Sequence, residues 1–127
     1  MILIRDADPS KEPVKEWLMA NIARNAFSPR ILDYPGTSVL AAHNGQVITY
    51  VPTQPVLVME SVGVNPVSPP PQDVATALVE TVRAAAVLAY RAGCREIHFL
   101  ASDELTAKGA EKLGFHKIEF PVYRLCL

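Results

Sequence analysis

A glutamate in an apolar stretch is the first residue of this sequence that suggests chemistry. Glu60 follows the run PVLVM, and strand alternation places it on the same face as Val58 and Val62. A carboxylate with apolar neighbours is poorly hydrated and suited to accept a proton as a general base. The alternative is structural, because Glu60 can equally pair with an arginine such as Arg83 or Arg95. Both interpretations are open at this point.

A second candidate site is a helix start in the stretch SPPPQDVATAL, residues 68–78. The first turn of a helix offers N–H groups that no intrahelical carbonyl takes, and these bind phosphate. Proline has no N–H, and the charge of Asp73 would repel a phosphate. The structural alternative is that prolines and an acid stabilise a helix start. The donors that remain for an anion are Gln72, Val74, Ala75 and Thr76.

Other reactive residue types lack the spacing that a metal or catalytic site requires. His43, His98 and His116 lie in three different predicted elements without an i, i+4 relation, so we expect no metal. Ser102 is not within a Gly-x-Ser-x-Gly turn, which argues against a serine hydrolase. Cys94 is interpreted as a small buried side chain rather than a nucleophile.

Composition and charge limit the class of protein. The 127 residues are 50% hydrophobic and 20% charged, which fits a single domain over residues 1–127. A net charge of −1 argues against nucleic acid and an acidic membrane as partners. Cys94 and Cys126 have no CxxC spacing, and the start MILIRDAD is neither a signal peptide nor a membrane span. We therefore predict a reducing, cytoplasmic location.

The elements that must position these residues alternate between strands and helices. The predicted order is strand, helix, β-hairpin, strand, helix, strand, helix and one or two closing strands after His116. Asn44-Gly45 predicts the hairpin, because both central residues of a type I′ turn need positive φ. A strand, a crossover helix and a strand over residues 56–64, 71–92 and 96–101 imply a locally parallel pair. The sequence thus predicts an α/β (α+β) fold with flanking helices on a mixed, mostly antiparallel central sheet.

Helical spacing of apolar residues defines the two longer helices. Asp8 or Ser10 can cap the first, and Gly93 can end the second in the left-handed conformation. The apolar faces are Val14, Trp17, Leu18 and Ile22 in the first helix, and Val74, Leu78, Val82, Ala85 and Ala89 in the second.

Three segments of the second half carry a resemblance to a known family. They are VGVNP (62–66), VATALVETVRAAAVLAYRAGCREI (74–97) and AEKLGF (110–115). In order and spacing, residues 37–120 resemble the GNAT N-acetyltransferase superfamily, while the first strand and helix fit by element type. The resemblance implies an acyl-CoA N-acyltransferase-like fold with a splayed parallel strand pair. It also implies transfer of an acetyl group from acetyl-CoA to an amine by direct attack.

The resemblance assigns the binding of acetyl-CoA, the implied co-substrate, to two segments. The pantetheine arm would lie along the backbone of Val62, Gly63 and Val64, and Asp103 stands where the family often has an Asn that bonds this arm. The pyrophosphate would bind at Gln72, Val74, Ala75 and Thr76. Two glycines of the family's pyrophosphate loop are replaced here, by Asp73 and Ala75.

The resemblance also bears on the catalytic groups. Glu60 is the candidate base for the attacking amine. Many family members have a tyrosine that protonates the leaving thiolate, and Ala110 stands at that position here. Tyr123 is the candidate replacement.

Partners follow from the same comparison. The acceptor is expected to be a small-molecule or protein amine. A closing strand with Val122, Leu125 and Leu127 would leave an exposed edge, which predicts a homodimer, although Pro121 and Arg124 blunt such an edge. The alternative from another class is a catalytically inactive GNAT-fold binding or assembly module, whose CoA loop the prolines close.

Overall fold

The computed structural model describes residues 1–24, 30–60, 63, 66–67, 69–119 and 121–127. These residues form strands, helices and one short 3₁₀ turn at Ile31–Asp33. The strands are β1 Leu3–Ala7, β2 Ser38–His43, β3 Val47–Thr53, β4 Leu57–Met59 and β5 Ile97–Phe99. The helices are α1 Val14–Ala23, α2 Pro71–Arg91 and α3 Glu104–Lys112.

The strands form two sheets of different type. β1, β2 and β3 form an antiparallel sheet in that order. β4 and β5 form a parallel pair, in which the N–H of Leu57 donates to the carbonyl of Glu96 (3.4 Å) and that of Leu100 to the carbonyl of Met59 (3.0 Å). The predicted mixed α/β fold, mostly antiparallel with a locally parallel pair, is confirmed. That the chain is a single domain stays a prediction.

The first of two compact units comprises residues 1–57 and 84–97, and its core lies between α1 and the antiparallel sheet. Leu18 is 0% exposed, Val39 2% and Val14 4%. The partly buried residues packed against them are Ala7, Leu32, Val47 and Tyr50. The predicted apolar face of α1 is confirmed, with Trp17 and Ile22 half-buried at its margin.

The hairpin predicted from Asn44-Gly45 joins β2 to β3. His43 lies opposite Val47, so the loop has three residues, 44–46, and the register shifts between Ala42 and His43. Gly45 has φ +77°, and the N–H of Asn44 donates to the carbonyl of Gln46 (3.0 Å). The hairpin is therefore confirmed, but with a three-residue loop beside a bulge instead of the two-residue type I′ turn.

The predicted side-chain cap of α1 was wrong. The Asp8 carboxylate accepts from the N–H of Ser10 (2.9 Å) and from its hydroxyl (2.6 Å). These bonds close a local turn ahead of the helix, a common alternative use of Asp and Ser. α1 begins later, at Val14, and Pro13 at its N-cap position makes no side-chain cap bond.

α2 and α3 end in the same C-terminal motif. Gly93 has φ +84° and Gly114 φ +96°, values that favour glycine, and each N–H bonds the carbonyl three residues earlier. The following N–H groups, of Cys94 and Phe115, donate to the carbonyls of Ala89 (2.9 Å) and Ala110 (3.1 Å). These are Schellman motifs, so the predicted stop of the long helix at Gly93 is confirmed.

The second unit comprises residues 58–83 and 98–127. In it, Phe99 of β5 and Phe115 after α3 pack with ring centroids 5.8 Å apart. The predicted closing strands were wrong, because residues 115–119 and 121–127 form no strand. Pro121 cannot donate into a ladder, and Val122 and Leu125 are 64% and 83% exposed, so neither pairing nor burial stabilises a strand there.

Candidate functional site

The parallel pair positions the first candidate group, Glu60. The N–H of Leu100 donates to the carbonyl of Met59, the final residue of β4, and Glu60 is the next residue. Of the predicted pantetheine-binding residues, Gly63 is described and has open space where a Cβ would lie. Val62 and Val64 lie outside the described residues.

Glu60 binds a cation at the end of this strand. One guanidinium nitrogen of Arg124, Nη2, donates to Oε1 (2.8 Å) and to Oε2 (2.6 Å). The two side chains are 65% and 61% exposed, so the apolar environment expected for Glu60 was wrong. The carboxylate is therefore hydrated on one side and accessible to other cations.

The expected partners of Glu60 are engaged elsewhere. Arg83 pairs with Glu80 at 2.6 Å within α2. The guanidinium of Arg95 lies 3.9 Å from the centre of the Tyr90 ring, and its Nη1 donates to the carbonyl of Cys94 (2.9 Å). The structural interpretation of Glu60 was right that an arginine pairs with it but wrong about which one.

Tyr123, the candidate acid, is next to Arg124 in the segment 121–127. Its side chain is 88% exposed. Because the adjacent residue, Arg124, pairs with Glu60, the backbone of Tyr123 lies near the end of β4. The hydroxyl of Tyr123 is accessible to solvent. A role as acid stays a prediction.

The start of α2 has fewer free donors than the sequence suggested. With Pro71 as its first residue, the N–H groups of Asp73 (2.9 Å) and Val74 (3.2 Å) both donate to the carbonyl of Pro70. Helical geometry directs the N–H of Ala75 and Thr76 to the carbonyls four residues earlier. The prolines have no N–H, so among the described residues of this first turn the backbone N–H that the helix does not use is that of Gln72.

The hydroxyl of Thr76 is also engaged, since it donates to the carbonyl of Gln72 (2.9 Å). Asp73 adds a negative charge to the same turn. In the described residues, this turn does not form the multi-donor cradle that the resemblance implies for a diphosphate. Binding of the pyrophosphate by Gln72, Val74, Ala75 and Thr76 stays a prediction.

Asp103 is the N-cap of α3. Its Oδ1 accepts from the N–H of Thr106 (2.7 Å), and its Oδ2 lies 3.5 Å from the hydroxyl oxygen of Ser102. The backbone hydrogen bond from Thr106 is the largest cause that holds the pKa of Asp103 below its ordinary value. One carboxylate oxygen thus caps the helix, and the other accepts from the hydroxyl of Ser102. Binding of a pantetheine amide by Asp103 stays a prediction.

Ala110, which stands where the resemblance implies a tyrosine, has a structural role in α3. Ala110 is 9% exposed, and its carbonyl accepts the N–H of Phe115 in the motif that ends α3. A small side chain is accommodated at this buried point of the helix. The AEKLGF segment therefore has a local role that does not depend on any ligand.

The described part of the chain contains neither a candidate metal site nor a candidate membrane span. No group of three or more His, Cys, Asp or Glu residues there could hold a metal ion. Among the same residues, no helix has the length and apolar character needed to cross a membrane.

The ion-pair partner of Glu60 that sequence reasoning missed is Arg124. It is separated from Glu60 by 64 residues. No periodicity or short motif links residues so far apart, and the exposed pair leaves no hydrophobic pattern. A contact of this kind is visible only in the folded chain.

No protein-family model matches the chain, and no curated protein matches it either. Among solved structures, it is similar to the aminoglycoside N-acetyltransferase AAC(6')-Iy in complex with CoA: identity is 21%, the TM-score is 0.42, and the match covers 98% of this chain and 99% of the other. AAC(6')-Iy with the bisubstrate analog CoA-S-monomethyl-acetylneamine matches at 19% identity and a TM-score of 0.41, over 100% and 99% of the two chains. An integron cassette protein of V. cholerae, VCH_CASS6, matches at 15% identity and a TM-score of 0.45. This match covers 98% of this chain and 91% of the other.

These likenesses include acetyltransferases, the class of protein that the sequence resembles. At such identities and TM-scores they carry no information on what this chain binds. The site has to be judged from its own residues.

Proposed function

We propose that this protein is an N-acetyltransferase that moves an acetyl group from acetyl-CoA to an amine by direct attack. The observation that carries the proposal is the carboxylate of Glu60, which binds a cation where the parallel strand pair ends. An amine acceptor is a cation at neutral pH and needs such a group twice, first for binding its ammonium and then for proton removal.

Glu60 can perform both steps. Its two oxygens accept hydrogen bonds from an ammonium, and one oxygen then takes the proton, directly or through a water, so that the neutral amine attacks. Acetyl-CoA supplies an acetyl thioester whose C–S bond breaks as the C–N bond forms. The thiolate that leaves takes a proton from Tyr123 or from solvent. Gly63 and Asp103, whose Oδ2 also accepts from the Ser102 hydroxyl (3.5 Å), are the described groups that support binding of the pantetheine arm.

Glu60→Gln tests the proposal because it keeps the hydrogen-bonding shape and removes the base. Release of free thiol from acetyl-CoA is measured with benzylamine and spermidine as probe acceptors. Loss of a general base lowers kcat by about 10²- to 10⁴-fold. Glu80→Gln is the matched control, since Glu80 is equally exposed and paired with an arginine. Turnover that is the same in both variants would remove Glu60 from the mechanism.

A second candidate function is a non-catalytic binding or assembly module with the GNAT fold. The observation that favours it is the start of α2, where Pro70 and Pro71 have no N–H and, among the described residues, Gln72 has the backbone N–H that the helix does not use. Thermal unfolding distinguishes the two, because acetyl-CoA at a hundred times its Kd raises the unfolding free energy by about 2.7 kcal/mol. Absence of any shift at millimolar acetyl-CoA favours the module.

Self-association and location complete the proposal. Val122, Leu125 and Leu127 are exposed in the segment 121–127, which supports a homodimer through these side chains. Light scattering at micromolar concentration measures this, and a monomer would refute it. Cys94 and Cys126 are free thiols, which supports a location in a reducing compartment such as the cytoplasm.

A further inference from the structure

The segment 121–127 is tied to the end of β4 by a charge rather than by packing. Around Arg124, the side chains of Val122 (64%), Tyr123 (88%) and Leu125 (83%) are mostly exposed. Among the described residues, an ion pair of Arg124 with Glu60, at 2.6 and 2.8 Å, reaches from this segment to the end of β4. A segment held in this way can leave without loss of a hydrophobic core.

The guanidinium of Arg124 has the chemistry of the proposed acceptor. It is a cation that donates N–H bonds to both oxygens of Glu60, as an alkylammonium would. Since one carboxylate is shared, the two cations compete for it. We propose that Arg124 is an internal competitor of the amine acceptor, and that release of the segment 121–127 admits the amine to Glu60. This inference rests on the proposed function and adds a regulation of its site.

The exposure of the pair sets the size of the effect. Ion pairs as exposed as this one favour the paired form by a factor of about 1.4 to 5, because solvent screens them. An amine that binds Glu60 only when Arg124 has left it then shows a higher apparent Kd. The increase over the Kd for the unpaired form is about two- to sixfold. The Arg124–Glu60 ion pair thus weakens amine binding moderately, and a higher amine concentration overcomes it.

α2 offers a matched pair for comparison. Arg83 and Glu80 are 2.6 Å apart and 71% and 60% exposed, close to the values for Arg124 and Glu60. Arg83→Gln and Arg124→Gln each release one glutamate of similar exposure. Neither arginine is buried, so both variants are expected to fold, and circular dichroism checks this.

The first experiment measures carboxylate accessibility without turnover. The full chain is treated with a water-soluble carbodiimide and glycine ethyl ester, and coupling at each glutamate is quantified by peptide mass spectrometry. Arg124→Gln should raise the coupling rate at Glu60 about two- to sixfold and leave Glu80 unchanged. Arg83→Gln should raise the coupling rate at Glu80 and leave the rate at Glu60 unchanged. Arg124→Lys, which keeps a cation, should give a smaller rise at Glu60.

Unchanged coupling at Glu60 in Arg124→Gln, with the expected rise at Glu80 in Arg83→Gln, would overturn the inference.

The second experiment is kinetic, with benzylamine as the varied substrate. Competition predicts a KM that falls about two- to sixfold in Arg124→Gln while kcat stays within a factor of about two. A lower kcat with unchanged KM would show instead that Arg124 assists the reaction, which contradicts the inference.

The two proposals fail in different ways. If no variant turns over any probe amine, the acetyltransferase function fails, while the coupling experiment still decides whether Arg124 covers Glu60. If turnover is present and coupling at Glu60 does not respond to Arg124, the competitor role fails and the function stands.

Discussion

Replacing Asp73 by asparagine tests whether the start of α2 is where CoA places its diphosphate. Asp73 lies in the first turn, next to Gln72, the residue with the free N–H. The substitution keeps the size of the side chain and removes one negative charge. Two like charges about 4 Å apart repel by about 1 kcal/mol in water. We therefore expect CoA to bind up to about fivefold more tightly, while the helix loses about 0.3–1 kcal/mol of charge–dipole stabilisation.

Titration calorimetry with two ligands makes this prediction specific. CoA carries the diphosphate and pantetheine lacks it, so the gain in affinity should appear for CoA alone. Glu104→Gln is the control, since Glu104 is also an acid in the first turn of a helix, α3. An equal change for both ligands, or the same gain in the control, would refute the placement of the diphosphate at α2.

A restored donor provides the complementary change. Pro71→Ala gives the first residue of α2 an N–H, beside the one already present at Gln72. A hydrogen bond to a charged group contributes about 1.5 kcal/mol or more, so CoA affinity should rise roughly tenfold. If Pro71→Ala leaves CoA affinity unchanged and only alters stability, the prolines serve the helix and do not limit binding.

Three predictions concern stability. Leu18→Ala should lower the unfolding free energy by about 2–5 kcal/mol in urea denaturation, because Leu18 is 0% exposed, whereas Met19→Ala, at 56% exposure on the same helix, should change it by less than about 0.5 kcal/mol. Gly93→Ala should cost about 1–2 kcal/mol from its φ of +84° alone, since open space surrounds the new Cβ, and Gly109→Ala within α3 should stabilise. Asp103→Ala should destabilise the protein at neutral pH. Because the cap holds the pKa of Asp103 below its ordinary value, its stabilising contribution is present above the unfolded-state pKa and is lost as pH falls through the folded-state pKa. The unfolding free energies of Asp103→Ala and the unmodified protein should therefore converge in acid.

The features that could be predicted from the sequence depend on residues a few positions apart. Gly93 ends α2 because a left-handed residue there lets two N–H groups reach carbonyls within the last turn. Val14 and Leu18 are buried because a four-residue spacing places them on one face of α1. Asn44-Gly45 predicts a hairpin for the same local reason, and the bulge at His43, which depends on the register with β3, was missed.

The features that could not be predicted depend on partners distant in sequence. The run VYRLCL has high β-propensity, but a strand needs a neighbour for its backbone bonds, and propensity does not show whether one is present. Glu60 was expected among apolar residues because alternation fixes only the direction of a side chain. Whether that side is covered depends on other elements, and here Arg124 lies there instead.

The helix start lies between these two cases and bears on function. The sequence fixes the loss of donors at the prolines, but the number that remains depends on which residue begins the helix. A start at Pro71 uses the N–H of Val74, and of the residues after it, inside the helix, and leaves Gln72. With one amide donor and one nearby carboxylate, the diphosphate should contribute little to affinity. An acetyltransferase built on this chain would then have to recognise its donor through the pantetheine arm, so CoA and pantetheine should bind the unmodified protein with similar affinity.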